Sequence, residues 1–172
     1  NYEIKYVSNS SFSITDSDGL KYIEISSVFF ELLEINGLAH EILPKMPIQN
    51  WHIDSLDLSD LIPENTLPVL FGEGYLQMEN NFVKTKIDIF GAVFFMLSRI
   101  EEVMPSEKDK YDRFPSRASI ASKENFLQRP VVDEYVEYLW ALLIQLWLGY
   151  LILYRCGLLP TNLYKINHNC QL

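Results

Sequence analysis

The chain has 172 residues, of which 48% are apolar and 13% aromatic, so its composition excludes wholesale disorder. This length suits one domain with a sizeable core. With 14 Lys and Arg against 23 Asp and Glu, the formal net charge of -9 argues against a general nucleic-acid binder, whose affinity rests on basic side chains that meet phosphates.

The charge is spread unevenly and divides the chain near residue 138. Residues 1–137 hold all 23 acidic residues and 12 basic ones, a net charge of -11, whereas the last 35 residues hold only Arg155 and Lys165 as charged residues. Both cysteines also lie in this final part and define no disulfide framework. No signal peptide is visible, so we expect a cytoplasmic protein, although a chain that begins at Asn1 also fits a processed product or a fragment.

The N-terminal region predicts two strands. Apolar and polar residues alternate over residues 2–6, which is the period of a half-buried strand. A stretch rich in Ser, Asn and Asp follows and ends in Asp18-Gly19, a pair with turn chemistry. Residues 20–25 carry the apolar positions of a second strand. We therefore expect these strands to belong to a small sheet.

A short helix and a long loop are expected next. Ser26 or Ser27 can cap a helix that Asn36-Gly37 ends. Four prolines and several Asp and Asn residues lie between Leu43 and Pro68, so this segment predicts mostly loop with short helical turns.

A second pair of strands is predicted in the middle of the chain. Residues 67–72 have the pattern of a short buried strand that ends in glycine. Residues 75–86 alternate around a hairpin turn at residues 79–81. We expect these strands to complete the sheet, but their order in it cannot be read from the sequence.

Two long helices are predicted to pack on this sheet. Asp88 can cap a helix from Ile89 to about Met104, and Pro130 suits the first position of a second helix. A polar loop of residues 106–128 separates them. The first helix has apolar residues at helical spacing, namely Phe90, Val93, Phe94 and Leu97. The predicted fold is therefore a single mixed α/β domain, a small sheet packed by two long helices.

The last part of the chain allows three interpretations. Residues 138–154 are 17 residues without a charge, which touches the lower limit of a membrane span. They also fit a buried core helix that continues the preceding helix, which we favour, or a displaced or truncated end that is not native-like. We divide the chain into a domain of residues 1–145 and an atypical apolar tail of residues 146–172.

No local signature of a metal or catalytic site is present in the sequence. The three histidines do not stand at i, i+4 spacing, and no Cys-x-x-Cys pair, nucleophile elbow or phosphate-binding glycine loop occurs. Asp54, Asp57 and Asp60 recur every three residues, which fits carboxylates around a cation or, as we favour, a solvated and capping face. We therefore expect no metal and no cofactor.

One polar cluster is singled out as a candidate ligand pocket. Glu101 and Glu102 close the first predicted helix, where acidic side chains oppose the helix dipole, so we expect cations nearby, such as Arg113, Arg117 or Arg129. An ion-pair network that pins the loop is the alternative. The candidate binding residues are Asp88, Arg99, Glu101, Glu102, Asp112, Arg113 and Arg129.

Several of these residues carry a resemblance to a known kind of domain. Residues 88–102, which end in Ser98-Arg-Ile-Glu-Glu102, resemble part of a domain found at the N-terminal side of bacterial polysaccharide deacetylase modules. Asp112-Arg-Phe-Pro115, Leu127-Gln-Arg-Pro130 and residues 67–72 are similar to further blocks of that domain, in the same order. The resemblance covers roughly residues 1–145.

The resemblance implies that the chemistry lies in another domain. In such proteins a following (β/α) barrel removes N-acetyl groups from carbohydrate, with a divalent metal held by a Thr-His-Asp-x-Asp block and later histidines. This chain has no such block, and Asn167-His-Asn169 lacks the aspartates. The chain therefore resembles the accessory domain, or a truncated relative, without its catalytic partner.

Three functions follow as hypotheses. The first is a non-catalytic accessory domain that orients a deacetylase domain or recruits its glycan, with Trp51, Tyr75 and Tyr111 available to stack on sugar rings. The second is a stand-alone enzyme or ligand-binding domain that uses the cluster of Arg99, Glu101, Glu102 and Arg113. The third is an interaction module whose apolar tail docks on a partner or on a second copy. Neither nucleic acid nor a membrane is an expected partner.

Overall fold

Strands and helices account for most of the described chain. The computed structural model describes residues 2–8, 10–56, 58, 60–104 and 107–148. Its strands are β1 (Tyr2–Ser8), β2 (Ser11–Asp16), β3 (Tyr22–Ser26), β4 (Gln49–His52), β5 (Thr66–Val69), β6 (Gly72–Met78) and β7 (Phe82–Ile87). Its helices are α1 (Val28–Asn36), α2 (Ile89–Ser98), α3 (Ile100–Val103), α4 (Ile120–Lys123) and α5 (Val131–Leu143).

The main sheet is mixed and has the strand order β1-β2-β3-β7-β6. Its neighbouring strands are antiparallel except for the central pair, β3 and β7, which run parallel. β4 and β5 form a separate antiparallel pair. Helix α1 follows β3 and helix α2 follows β7, so both parallel strands lead into a helix at the same end of the sheet.

The two faces of the main sheet have different chemistry. Ile23, Ile25 and Val83 lie in the core and are at most 1% exposed. Side chains alternate between the two faces of a strand, so Glu24 and Lys84 project from the opposite face. One face therefore packs against the helices, and the other carries polar and charged side chains.

Two buried tyrosines anchor helix α5, one to β5 and the residues after it and the other to β7 of the main sheet. The hydroxyl of Tyr135 donates a hydrogen bond of 2.6 Å to the carbonyl oxygen of Pro68 and accepts one of 3.2 Å from the backbone N–H of Leu70. The hydroxyls of Tyr138 and Thr85 are 3.1 Å apart. Burial raises the pKa of both tyrosines, so both remain neutral donors in the core.

The predicted mixed α/β domain and the hairpin of β6 and β7 are confirmed. The segment between residues 43 and 68 is more ordered than predicted, because it contains β4 and the start of β5. Residues of β4 are exposed or half-buried and show no strict alternation, so only the pairing with β5 defines the strand.

The first predicted long helix is interrupted, contrary to the sequence expectation. Helix α2 ends at Ser98, Arg99 takes a left-handed conformation with φ of 53°, and α3 begins at Ile100. The buried residues of α2 are Ile89, Gly91, Ala92 and Phe95. Phe90, Phe94 and Leu97 are exposed, and they are three of the four apolar positions noted in the sequence.

The chain continues as helix after α5. Helix α5 is followed by a π-helical turn, Ile144–Leu148, in which Ile144 and Leu146 are buried. The rest of the predicted tail, residues 149–172, lies outside the described residues, as does Asp57 of the aspartate series. In the part of the chain that is described, no helix has the length and apolar character needed to cross a bilayer.

Candidate functional site

A groove with both charged and apolar lining residues opens at the carboxyl ends of β3 and β7. Its volume is about 690 Å³, and it lies beside the outer face of these strands, the turn between β1 and β2, and the segment of residues 41–49. In open α/β sheets, the crevice outside the carboxyl ends of parallel strands is the usual position of a bound ligand. The groove is therefore the candidate binding site of the described domain.

Two ion pairs lie along this groove. Nζ of Lys84 is 2.7 Å from Oε1 of Glu24, which faces it across the parallel pair of strands. Nζ of Lys86 is 2.8 Å from Oε2 of Glu73. The hydrogen bond and the opposite charge lower the pKa of Glu73 and raise the pKa of Lys86. The groove thus presents positive and negative groups that already neutralise each other.

The other walls of the groove combine hydroxyl groups with apolar surface. The hydroxyls of Ser8 and Ser11, at the end of β1 and the start of β2, are 3.0 Å apart. An apolar wall is supplied by Val28, Leu32, Leu43 and Pro47. Val69, Leu70 and Phe71 also border the groove but are at most 6% exposed. Three further polar side chains come from the segment after α1, namely Glu41, Lys45 and Gln49.

Asp88 joins the first turns of two helices. Its Oδ1 accepts a hydrogen bond of 2.7 Å from the backbone N–H of Gly91 in α2, and its Oδ2 accepts one of 2.7 Å from Phe29 in α1. The side chain is completely buried, and this burial raises its pKa to about 6, although hydrogen bonds from Phe29, Gly91 and Val28 act in the opposite direction. Asp88 is therefore a capping residue of the fold.

Arg99, Glu101 and Glu102 occupy different positions from those predicted. Because Arg99 breaks the helix, the two glutamates lie in the first turn of α3, and the expected conflict with a helix C-terminus does not arise. Arg99 itself forms an ion pair with Glu102. Oε2 of Glu101 accepts a hydrogen bond of 2.9 Å from the backbone N–H of Ile120, at the start of α4.

A second, smaller cavity lies beside Glu101. It has a volume of about 300 Å³ and is also lined by His40, Lys123 and Glu107. Burial raises the pKa of Glu101, and the charge of the nearby Glu102 acts in the same direction. Of the seven candidate residues, Glu101 is the one that lines either of these two cavities.

Asp112 and Arg113 belong to an exposed loop. Asp109 accepts backbone hydrogen bonds from Tyr111 and Arg113 and pairs with the Arg113 side chain at 2.9 Å. These contacts, led by the backbone hydrogen bond from Arg113, lower the pKa of Asp109. Asp112 takes a left-handed conformation with φ of 60° at the tip of this turn. The predicted contact of Arg113 with the glutamates of the first helix is therefore replaced by a local ion pair.

Arg129 forms a largely buried ion pair near the start of α5. Its guanidinium contacts both carboxylate oxygens of Glu134, at 3.1 and 2.7 Å, and donates a hydrogen bond of 2.7 Å to the carbonyl oxygen of Thr66. Glu134 is 1% exposed. This contact fastens α5 to β5 and places Arg129 away from the glutamates of α3.

The aromatic residues proposed to stack on sugars are engaged with the protein itself. Trp51 is half-buried and meets the ring of Tyr138 edge-on, with ring centroids 6.1 Å apart. Lys86 lies over the ring of Tyr75, and both Lys110 and Arg113 lie over the ring of Tyr111. Tyr75 and Tyr111 are nevertheless 38% and 64% exposed, so stacking on a sugar stays a prediction for these two rings.

The sequence reasoning missed the groove because its residues come from distant segments. The alternation of Glu24 with Ile23 and Ile25, and of Lys84 with its neighbours, does predict which side chains share a face of each strand. The parallel register that places Glu24 opposite Lys84 has no signal in a single sequence. The charged face was therefore predictable, but its assembly into a groove was not.

Comparisons with known proteins place the chain beside one family. A family model described as a family of unknown function (DUF7033) matches residues 1–148. No curated protein and no solved structure matches the chain. Within the described residues, no group of three or more His, Cys, Asp and Glu side chains is arranged to hold a metal ion.

Proposed function

The chain belongs to the DUF7033 family of unknown function, and from this starting point we propose that it is a non-catalytic accessory domain of a carbohydrate-active protein. Its role is to dock on a deacetylase-type catalytic domain and to present glycan to it. The observation that carries the docking role is the surface of helix α2.

Helix α2 contains no charged residue, and it exposes large apolar side chains to solvent. Phe90, Phe94 and Leu97 are 36%, 44% and 67% exposed, and they lie on one side of the helix. Phe30 of α1 is 38% exposed and extends this surface, with its ring centroid 5.5 Å from that of Phe94. We call these four residues the phenylalanine patch.

A helix that is apolar on all sides is typical of a buried position. Contiguous exposed apolar surface on a domain marks a protein–protein interface or a ligand site. In the phenylalanine patch the rings of Phe30 and Phe94 are in contact, and Phe90 and Leu97 lie on the same side of α2, which suits docking on another protein domain. We therefore assign this patch to the contact with the catalytic domain.

The non-catalytic part of the proposal rests on what the ionisable candidates do. Asp88 caps two helices, and Arg129 is held by Glu134 and Thr66. Arg99 and Arg113 form exposed ion pairs within their own turns. These side chains are used to build the fold and its loops, so they are poor candidates for proton transfer to a substrate.

The carbohydrate part of the proposal rests on the resemblance of residues 88–102, 112–115 and 127–130 to the domain that precedes polysaccharide deacetylase modules. The test is acetate release from an N-acetylated glucosamine oligomer in the presence of divalent metal. We expect release by the full-length protein that contains this chain and none by the chain alone. Metal-dependent release by the chain alone would overturn the proposal.

The enzyme hypothesis retains one supporting observation. Glu101 is half-buried, has a raised pKa and lines the smaller cavity together with His40 and Lys123. A general base in a concave site has these features. The other members of the proposed cluster do not line that cavity, so the four-residue version lacks support. In the acetate assay, activity of the chain that disappears in Glu101→Gln but persists in Glu102→Gln would favour this hypothesis.

A further inference from the structure

The groove at the carboxyl ends of β3 and β7 has the size and the position of a ligand site. Its volume of about 690 Å³ falls within the range of about 300–1,000 Å³ that is typical of small-molecule sites. It lies at the carboxyl ends of the only parallel pair of strands in the described sheet. The carboxylate of Asp88 does not line this groove, because it is buried in the core.

The charge of the groove differs from that of the whole protein. Its lining contains three carboxylates and three ammonium groups, Glu24, Glu41, Glu73, Lys45, Lys84 and Lys86, whereas the chain carries a net charge of -9. Two of the ammonium groups are already paired with two of the carboxylates. Such a surface offers many hydrogen bonds but does not select an anion or a cation, so it favours a neutral polar ligand.

The uncharged residues that line the groove narrow the class of ligand that it can bind. The hydroxyls of Ser8, Ser11 and Ser26 and the amide of Gln49 both donate and accept hydrogen bonds, as the hydroxyl groups of a sugar require. The wall of Val28, Leu32, Leu43 and Pro47 is apolar and only partly buried, which suits the C–H face of a sugar ring or the methyl of an acetyl group. A charged or wholly apolar ligand would use only part of this surface.

We propose that the groove binds a neutral N-acetylated oligosaccharide of two to three rings. This inference rests on the proposed function for its choice of sugar over other neutral polar ligands. The oligosaccharide lies along the paired charges of Glu24–Lys84 and Glu73–Lys86, with its acetyl groups toward the apolar wall. The site presents the glycan and performs no chemistry on it.

The experiment is a titration of the chain with the trimer of β-1,4-linked N-acetylglucosamine. Binding is measured from the chemical shifts of the backbone amides. We expect shifts at residues 8, 10, 11, 24–28, 43, 69–73 and 84–86. The double variant Glu24→Gln/Lys84→Gln removes both charges and keeps a polar side chain at each position. Because hydrogen bonds to charged groups are the stronger ones, we expect about tenfold weaker binding.

Lys5→Gln is the matched control, because Lys5 also pairs with a glutamate on the sheet but does not line the groove. Its affinity should equal that of the wild type. Gln49→Ala provides a second test, because it leaves the ion pair of Glu24 and Lys84 intact. This variant should also weaken binding. Thermal unfolding of each variant verifies that it is folded.

The outcomes separate this inference from the proposed function. Shifts in the groove that weaken in both groove variants, but not in Lys5→Gln, support the site. Shifts confined to other surfaces, or equal affinity for all variants, overturn the groove while the accessory role remains. Equal binding of the glucose trimer overturns the preference for acetylated sugars. No shift with any sugar overturns the inference, and the acetate assay of the full-length protein then decides the accessory role separately.

Discussion

The carboxylate of Asp88 accepts a hydrogen bond from the backbone N–H of Phe29, 59 residues earlier in the chain, at 2.7 Å. The same carboxylate caps its own helix through Gly91. One side chain therefore satisfies buried donors at the first turns of α1 and α2, the two helices that follow the parallel strands. This shared cap fixes how the sheet, the groove and the phenylalanine patch lie relative to one another.

Loss of this cap should destabilise the domain. In Asp88→Ala two buried backbone N–H groups lose their acceptor, so we expect the free energy of unfolding to fall by about 2 kcal/mol or more. Urea unfolding measures this change. Asp18→Ala is the control, because Asp18 is exposed in a turn, and it should change stability by less than about 0.5 kcal/mol. Equal changes in the free energy of unfolding of the two variants would contradict the role of Asp88 as a shared cap.

The buried cap should also make stability depend on pH. Burial raises the pKa of Asp88 from 3.8 to about 6 in the folded state, so folding favours its protonated form. The stabilising contribution is therefore complete below about pH 3.8 and is lost as the pH rises through about 6. Relative to Asp88→Asn, the free energy of unfolding of the wild type should fall by about 2 to 3 kcal/mol across this window. Parallel pH profiles of the two proteins would contradict this expectation.

Glycine at position 91 should be required by the same contact. A Cβ atom there would collide with the carboxylate of Asp88 and with Cβ of Phe29. In an open helical position Gly→Ala gains up to about 1 kcal/mol, but here we expect Gly91→Ala to lose about 1 to 3 kcal/mol through overpacking. Ser98→Ala, at the exposed end of the same helix, should be close to neutral. A stabilised Gly91→Ala protein would show that α1 and α2 are not in close contact.

The ion pair of Arg129 and Glu134 offers a test by double substitution. Arg129→Met leaves Glu134, which is 1% exposed, without its cation, and should cost about 3 to 5 kcal/mol. Arg129→Met/Glu134→Leu should recover most of that loss because no buried charge remains unpaired. Arg113→Met, which breaks an exposed pair, should cost at most about 1 kcal/mol. Chemical unfolding of the four proteins, with the wild type as reference, gives the comparison.

Local pattern predicted β1, β3, β6, β7 and the starts of α2 and α5, but it assigned the residues of β2 and β4 to turns and loop, because these strands are defined by their pairing. Asp88 was recognised as a helix cap from its place before Ile89, but its second bond, to Phe29, depends on how two helices pack. The break at Arg99 was missed because an arginine in a left-handed conformation has no sequence signal of the kind that glycine gives.

The apolar spacing of α2 illustrates a second limit. Every position of this helix from Ile89 to Leu97 is apolar or glycine, so a period of 3.6 residues cannot show which side faces the core. The structure buries the side of Ala92 and Phe95 and exposes Phe94 and Leu97. The exposed side is therefore visible only after folding, and it is the surface on which the proposed docking role depends.

Hydrogen exchange of α2 tests that docking role most directly. In the full-length protein that contains this chain, the amides of α2 should exchange at least about tenfold more slowly than in the chain alone, because a docked domain opposes local opening of the helix. Phe94→Glu in the full-length protein should restore the faster rate, whereas Leu20→Glu, at an apolar position that is 70% exposed and lies outside the patch, should not. Equal exchange rates of α2 in the full-length protein and in the isolated chain would contradict docking through the phenylalanine patch.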